Sequence, residues 1–478
     1  MNKYHLSTLL LLTFLTSCGE NISPVDSGLE QQIFHFGNGA EPQGLDPHIV
    51  TGVPEHHILI ALCEGLTSPN PKGGAPFPGM AESWTLSEDG TIYTFNINKN
   101  AKWSNGDEVV ADDFVWSWKR VLTPSLGSQY TDMLYYVKNA KQFYTGEITD
   151  FSEVGVKAID KNTLEVVLEN PTPFFLGLLS HYSTWPVHKD TVLKHGDIDD
   201  RNGQWTRPGN FVCNGPCQLK SWELNNKIVV EKNPFYWDSD TVRLNEMHFY
   251  PISNSMTEDR MFRAGQLHYT STVPAQKCPV YIEEGNSSLK IDPYMGTYFY
   301  RTNTLHPVLK DVRIRKALAF SINKDQIVRK VSQCGQTPAY SFTPPGASGY
   351  EPQTEIPYDI NLAKELLAEA GYPNGEGFPK LEILFNTSED HRKIALAVQQ
   401  MWQANLEYEK LVNQANEIQD TEERFALLRE AEKILIDEMP IIPIYTYVRQ
   451  YQLSDDVKGL YPNYLDNHHP KYLYLERD

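Results

Sequence analysis

Cys18 carries the clearest chemistry in the sequence. It closes Leu15-Thr16-Ser17-Cys18 at the end of the mostly apolar run from Leu9 to Leu15, with Lys3 and His5 ahead of it. A weakly basic start, an apolar run too short to span a bilayer and small residues before one cysteine are the marks of a cleaved lipoprotein signal. The spacing predicts cleavage before Cys18, a diacylglycerol on its thiol and an acyl chain on the freed amine, the double anchor that stable tethering needs. The alternatives are an ordinary cleaved signal with a chance cysteine, and an N-terminal membrane helix.

Other candidates for covalent, acid–base or metal chemistry are weak. The chain has no G-x-S-x-G, no H-E-x-x-H, no Walker-type glycine loop and no zinc-ribbon spacing. With 61 Asp and Glu residues, chance carboxylate pairs carry no weight as a glycosidase signal. Cys213 and Cys217 form a C-x-x-x-C in a turn entering a strand, with no histidine or second cysteine pair to complete a zinc site. On extended chain the two stand too far apart to bridge. Cys63, Cys278 and Cys334 complete an odd set, some of which an exported protein could oxidise. The pairs His56-His57 and His468-His469 are poor ligand candidates because adjacent side chains diverge in regular structure. No catalytic residue, metal or cofactor is expected. The formal net charge of −19 argues against nucleic acid, whose phosphates call for a basic footprint.

What the chain does hold is 26 Tyr and 9 Trp, side chains suited to a pocket that takes varied ligands and excludes water, though each is more often a core residue. The elements that would position them are readable in part. Residues 19–30 are Gly, Ser, Pro and acidic without apolar period, and are expected to be a flexible tether. Tyr93, Phe95 and Ile97 alternate with polar residues as in a half-buried strand, and a helix is expected from Ala111-Asp112-Asp113 with Phe114, Trp118 and Val121 on one face. Further strands are expected at Thr163 to Leu168, Lys227 to Glu231, Met247 to Ile252 and Leu381 to Phe385, and a short buried one at Pro440 to Tyr445. Helical period marks Val312 to Phe320, Lys324 to Val331 and Ile394 to Met401. Asn361 to Ala370 is a helix with Leu362, Leu366 and Leu367 on its apolar face and Gly371 ending it. About 460 residues after the signal are too many for one core, so at least two lobes are expected.

A series of motifs then falls into order along the chain: Glu41-Pro42-Gln43-Gly44-Leu45-Asp46-Pro47-His48, Gly52-Val53-Pro54-Glu55, Ala81-Glu82-Ser83-Trp84, Ala101-Lys102-Trp103-Ser104-Asn105-Gly106, Asp113-Phe114-Val115-Trp116-Ser117-Trp118, Asn214-Gly215-Pro216, Asp311-Val312-Arg313-Ile314-Arg315-Lys316-Ala317-Leu318 and Asn386-Thr387-Ser388. The series resembles the periplasmic oligopeptide-binding proteins, the family 5 solute-binding proteins of ABC importers, over nearly the whole mature chain. The resemblance implies an α/β, two-lobed periplasmic-binding-protein fold of type II that closes about a hinge. With a signal at 1–17 and a tether at 18–30, the expected division is lobe I from 31–63, 190–294 and 449–478, an inserted domain II at 64–189 and a truncated lobe III at 295–448. Carried over position by position, the resemblance implies ligand contacts from Thr51, Val53, Tyr130, Tyr294, Asn386, His391 and Tyr447. Ser332 stands where one member of the family has a lysine for peptide carboxylates.

The chain departs from that family after Gln399-Gln400-Met401-Trp402-Gln403-Ala404-Asn405-Leu406, where it runs directly into Glu407-Tyr408-Glu409-Lys410. The resemblance implies that several dozen residues are missing there, among them an aspartate that pairs with the ligand amine. Loss of a buried charge partner costs several kcal/mol, so ordinary peptides are expected to bind poorly. The implied partners are an oligopeptide, an ABC permease with its ATPase, and a membrane reached through the lipid; a monomer in the cell envelope, facing the periplasm or the exterior, is expected. The competing readings are a non-transport lipoprotein acting as sensor, adhesin or chaperone, and, with least support, an exported hydrolase.

Overall fold

The computed structural model describes residues 22–346, 349–385, 389–405, 429, 432–433 and 435–477. Cys18, Asn386 and the stretch 406–428 lie outside them, and with them the expectations about the anchor, one ligand contact and the shortened segment.

Alternating and helical apolar periods sort the described chain into three large hydrophobic cores, each backed by its own sheet, with a small fourth cluster around Cys278 and Cys334. In the first sheet Ile33–Gly37 runs parallel to Glu246–Tyr250, which pairs antiparallel with Lys227–Lys232, followed by Cys217–Glu223. Between Gly37 and Cys217 the chain builds the second sheet, wholly antiparallel, in the order Ala81–Leu86, Ile92–Ile97, Thr163–Val167, Val156–Asp160. Its Tyr93, Phe95 and Ile97 point inward and the residues between them are only half-buried, as period two requires. The third sheet centres on two long antiparallel strands, Leu289–Arg301 and Ile441–Gln452, with short Thr337–Pro338 at the edge of the latter. These long strands run across the residues where the first and third lobes were expected to meet.

Helix Ala111–Val121 packs Phe114, Trp118 and Val121 into the second core. The Asp113 carboxylate holds its start by accepting the Val110 N–H at 2.9 Å. Helix Ile360–Glu369 begins at Asp359, whose carboxylate accepts two backbone N–H groups, and stops before Gly371, which sits at φ +99°. Its buried residues are Ala363 and Leu367, while Leu362 turns outward and is exposed.

Three expectations about local structure need correction. The tether expected at 18–30 is helical from Pro24 to Gln31: Ser23 caps it, Pro24 pre-sets the first turn, and Val25 is buried. Leu381 to Phe385 carries no strand, and Leu384 is 87% exposed. The strand expected to end near Tyr445 continues to Gln452, which places a further run of side chains beside the site described next. Among the cysteines, Cys278 and Cys334 form a disulfide, and Cys63, Cys213 and Cys217 are free and buried.

Candidate functional site

Residues two apart on an extended strand share a face, so Tyr445, Tyr447 and Arg449 of Ile441–Gln452 line up. Beside them the partner strand has a register shift between Pro293 and Thr297, which frees Tyr294 from the ladder. Tyr294 meets Tyr447 edge to face at 6.1 Å, and Tyr298 stacks on Tyr445 at 5.1 Å. Helix Glu389–Asn405 approaches the same surface by its first turn. His391 lies 4.6 Å from the Tyr298 ring, with its Nε2 within 3.5 Å of the Tyr447 hydroxyl. Burial lowers the His391 pKa, so the ring is a neutral hydrogen-bonding group at neutral pH.

Tyr294, His391, Tyr445, Tyr447 and Arg449 wall a cavity of about 430 Å³, in the range that holds small ligands, with Tyr298 packed behind them. Val53 closes it from the other side at the start of helix Val53–Leu62, where Gly52 and Pro54 flank the first turn. Four of the expected contacts, Val53, Tyr294, His391 and Tyr447, are thereby brought together. Thr51 and Tyr130 are not on the wall; they meet each other, the Tyr130 hydroxyl donating to the Thr51 carbonyl at 3.4 Å, and Tyr130 packs on His181 and Tyr182.

The wall also holds residues that were not anticipated. Arg449 Nε lies 2.7 Å from Asp466 Oδ2, and Arg449 donates to the Tyr269 hydroxyl at 3.1 Å. Asp466 Oδ1 is 2.8 Å from His468 Nε2, and His57 Nε2 stands 3.6 Å from Oδ2. Although burial opposes ionisation, the Arg449 guanidinium, with His468 and His57, holds the Asp466 carboxyl well below the usual range. His57 itself is pushed down to about 4, chiefly by burial. The two histidine pairs do diverge: His56 bonds Asn467 at 2.8 Å while His57 and His468 converge on Asp466. The period-two run Tyr445, Tyr447, Arg449 was the signal that could have led to the arginine. Asp466 had none, because it sits in a loop at φ +55°, its neighbours Leu465 and Asn467 donating to the Asn463 side chain.

The segment bearing Thr51 and Val53 is fastened from beneath. Arg120, fully buried on helix Ala111–Val121, reaches Asp46 with two hydrogen bonds of 2.9 and 2.6 Å. His48 adds a contact of 3.0 Å to the same guanidinium. Among the described residues no group of three or more His, Cys, Asp or Glu could hold a metal ion, and no helix is long and apolar enough to cross a membrane.

A ligand-sized cavity walled by aromatic side chains of the third sheet and its neighbouring helix, with Val53 from another part of the chain, is the geometry of a binding site. Residues 75–421 match the bacterial extracellular solute-binding proteins, family 5 Middle. The chain is 37% identical over 409 residues to the periplasmic oligopeptide-binding protein OppA of Salmonella typhimurium, covering 83% of this chain and 74% of that one. It is 32% identical over 490 residues to the periplasmic murein peptide-binding protein MppA of Escherichia coli, covering 88% of this chain and 89% of that one. A structure of MppA superposes with a TM-score of 0.86 at 30% identity, covering 93% of this chain and 99% of the other. Its unliganded open form, at 31% identity and 93% and 98% coverage, reaches only 0.66, so the present arrangement is unlike that open one. Haemophilus influenzae OppA in complex with RPPGFSPFR gives 0.84 at 31% identity, with 94% and 99% covered. The chain belongs to the family 5 bacterial extracellular solute-binding proteins. It is an α/β periplasmic-binding-protein fold over nearly its full length, and a binding component of transport, not an enzyme.

Proposed function

We propose that this protein is the peptide-capturing component of an ABC importer, closing on a short peptide and delivering it to a membrane permease and its ATPase. The observation that carries the reading is the cavity in which Val53 faces Tyr294, His391 and Tyr447, in a chain whose relatives are named for oligopeptide and murein-peptide binding. Tyrosine hydroxyls and a neutral imidazole offer hydrogen bonds to a peptide backbone without prescribing side chains, which suits loose sequence preference. Asn386 is assigned to the same site by its place in Asn386-Thr387-Ser388, and Thr51 and Tyr130 to its approach.

The protein is read as an envelope lipoprotein tethered through Cys18 and acting as a monomer, which would keep the binder close to its permease. The alignment with MppA runs over 490 residues, more than the 478 of this chain, which supports a gap such as the one inferred after residue 406. Because the cavity stands assembled, a working binder is favoured over the impaired one that the gap suggests. Isothermal calorimetry with tri- to pentapeptides, together with mass spectrometry of co-purifying ligands, tests this. Saturable one-to-one binding at micromolar concentration is expected; an empty cleft and no heat from any peptide would sink the proposal.

A further inference from the structure

Three residues, Gly19 to Asn21, separate Cys18 from Ile22, where the described chain begins. Fully extended, the span from Cys18 to Ile22 reaches about 14 Å at most. The element that follows adds nothing to it, because it is fastened to the body of the protein. Ser23 lies against Gly265, and the Val25 N–H donates to the Gly265 carbonyl at 2.9 Å. Val25 and Gly28 are buried. A Cβ added at Gly28 would stand 2.9 Å from His268 and 3.3 Å from His35, so the helix Pro24–Gln31 lies directly on those two rings. Arg477 ties Asp26 at 2.9 Å to Asp456 at 2.6 Å. At the other end the Gln31 carbonyl accepts from the Asn245 side chain at 2.9 Å. The Gln32 side chain donates to the Leu475 carbonyl at 2.7 Å, and the chain then enters the first sheet. Lengthening the tether would mean breaking this whole set.

The surface around Ser23 suits a bilayer. Ile22 is 63% exposed, and Pro24 is exposed beside it. Helix Ser255–Arg263 ends two residues before Gly265, with Arg260 and Arg263 exposed in its last turn. Arg263 pairs with Asp259, a buried carboxylate shared with Lys277, so the cluster keeps a positive excess. Asp26 is paired with Arg477, and exposed Glu30 stands about 10 Å along the helix from Ser23. An anionic bilayer repels a chain of net charge −19 as a whole. The place where the lipid would hold this one is locally basic, with an apolar tip.

We infer that the face carrying Ile22, Pro24, Arg260 and Arg263 lies against the bilayer surface, held there by the short tether, with the isoleucine at the headgroup boundary and the arginines on lipid phosphates. The inference rests on the reading of Cys18 as the lipidated N-terminus and adds which side of the protein meets the membrane.

The test is energy transfer on the lipidated full mature protein in vesicles of phosphatidylcholine and phosphatidylglycerol carrying a headgroup acceptor dye. The donor dye sits on Gln266→Cys, exposed next to Gly265, or on Lys364→Cys, exposed on helix Ile360–Glu369 by the third core. Cys63, Cys213 and Cys217 are buried and stay unlabelled. A body of this size spans about four times the reach of the tether, so transfer from position 266 should exceed that from position 364 about twofold or more. Inserting about twenty Gly and Ser residues between Asn21 and Ile22 should bring the ratio close to one. Equal transfer from both sites with the native tether, or a ratio that the insertion leaves unchanged, overturns the inference while the anchor stands. Mass spectrometry of the N-terminal peptide separates the two readings: a peptide without acyl chains on Cys18 overturns both.

Discussion

Arg449 and Asp466 form an ion pair across 2.7 Å at the edge of the ligand cavity, one on the long strand Ile441–Gln452 and the other in a loop near the C-terminus. Asp466 is buried and Arg449 half-buried, 7% and 20% exposed by side chain, and His57 and His468 close around the carboxylate. The pair's Coulombic gain is offset by desolvation, so its worth lies less in net stability than in fixing where the loop meets the strand.

Removing one partner exposes that balance. Asp466→Ala leaves the Arg449 guanidinium buried and uncompensated, and should lower unfolding free energy by about 3–5 kcal/mol in urea titrations. Asp466→Asn, which keeps an acceptor, should cost less. A loss under about 1 kcal/mol for the alanine variant would mean that water enters the site freely.

The Arg120–Asp46 contact joins the second core to the segment that leads to Val53. Arg120→Met keeps volume but strands a buried carboxylate, so it should destabilise by about 3–5 kcal/mol. It should also weaken peptide binding, because the segment from Asp46 to Val53 loses its anchor. An Arg120→Met, Asp46→Leu double variant should recover much of the stability. Failure of the double variant to regain any would argue against a specific pair.

Acid should destabilise this protein before its carboxylates titrate. Burial pushes His35 and His469 down to about 3, and His48, His57 and His268 down to about 4. Their unfolded value is near 6.5, so between about pH 6.5 and 4 the unfolded chain binds protons that the folded chain refuses. Stability is therefore full above about pH 6.5 and declines toward pH 4. Glu258, pushed up to about 7 by burial, acts in the opposite sense, as do Glu64 and Asp113, whose carboxyls burial also raises, but the five histidines outnumber them. Thermal unfolding should give a lower Tm at pH 5 than at pH 7.5; an unchanged or higher Tm at pH 5 would contradict the assignment of these histidines as neutral.

The disulfide between Cys278 and Cys334 closes a loop with a sequence separation of 56 and sits beside the cavity, where Cys334 forms part of the wall. Restricting the unfolded chain over that span should contribute about 2–4 kcal/mol. Replacing both cysteines by serine should lower the urea midpoint accordingly, while Cys63→Ser should leave the disulfide and the cavity untouched.

Legibility followed the range of the interactions. Tyr93, Phe95 and Ile97, or Phe114, Trp118 and Val121, announce their elements because burial imposes a period on neighbouring residues. Ser23-Pro24 with Asp26 is a start signal of the same local kind, yet eight residues with one buried valine show no apolar period. Leu381 to Phe385 failed for the converse reason: an apolar run without period predicts burial, yet Leu384 and Phe385 are exposed. The site divides in the same way. Val53, Tyr294, His391 and Tyr447 came from positions carried over by the family resemblance, whereas Asp390, Gln450 and Asp466 are placed by tertiary folding and carry no spacing that marks them.

Tyr447 and His391 allow the site itself to be tested against its neighbours. Their polar atoms approach within 3.5 Å, and both rings contact Tyr298, so each shapes the cavity as well as facing it. Tyr447→Ala and His391→Ala should each weaken binding of a tripeptide by roughly ten- to thirtyfold in calorimetry, the effect of losing about 1.4–2 kcal/mol. Thr51→Ala and Tyr130→Phe provide the contrast, because that pair meets off the wall through a long contact of 3.4 Å. Their effect should stay within about threefold. Joint replacement of Tyr447 and His391 should cost less than the sum of the single losses, since removing either one frees the other to move. Equal losses at Tyr130 and Tyr447 would shift the peptide's path toward the loop at Thr51 and away from the strand Ile441–Gln452.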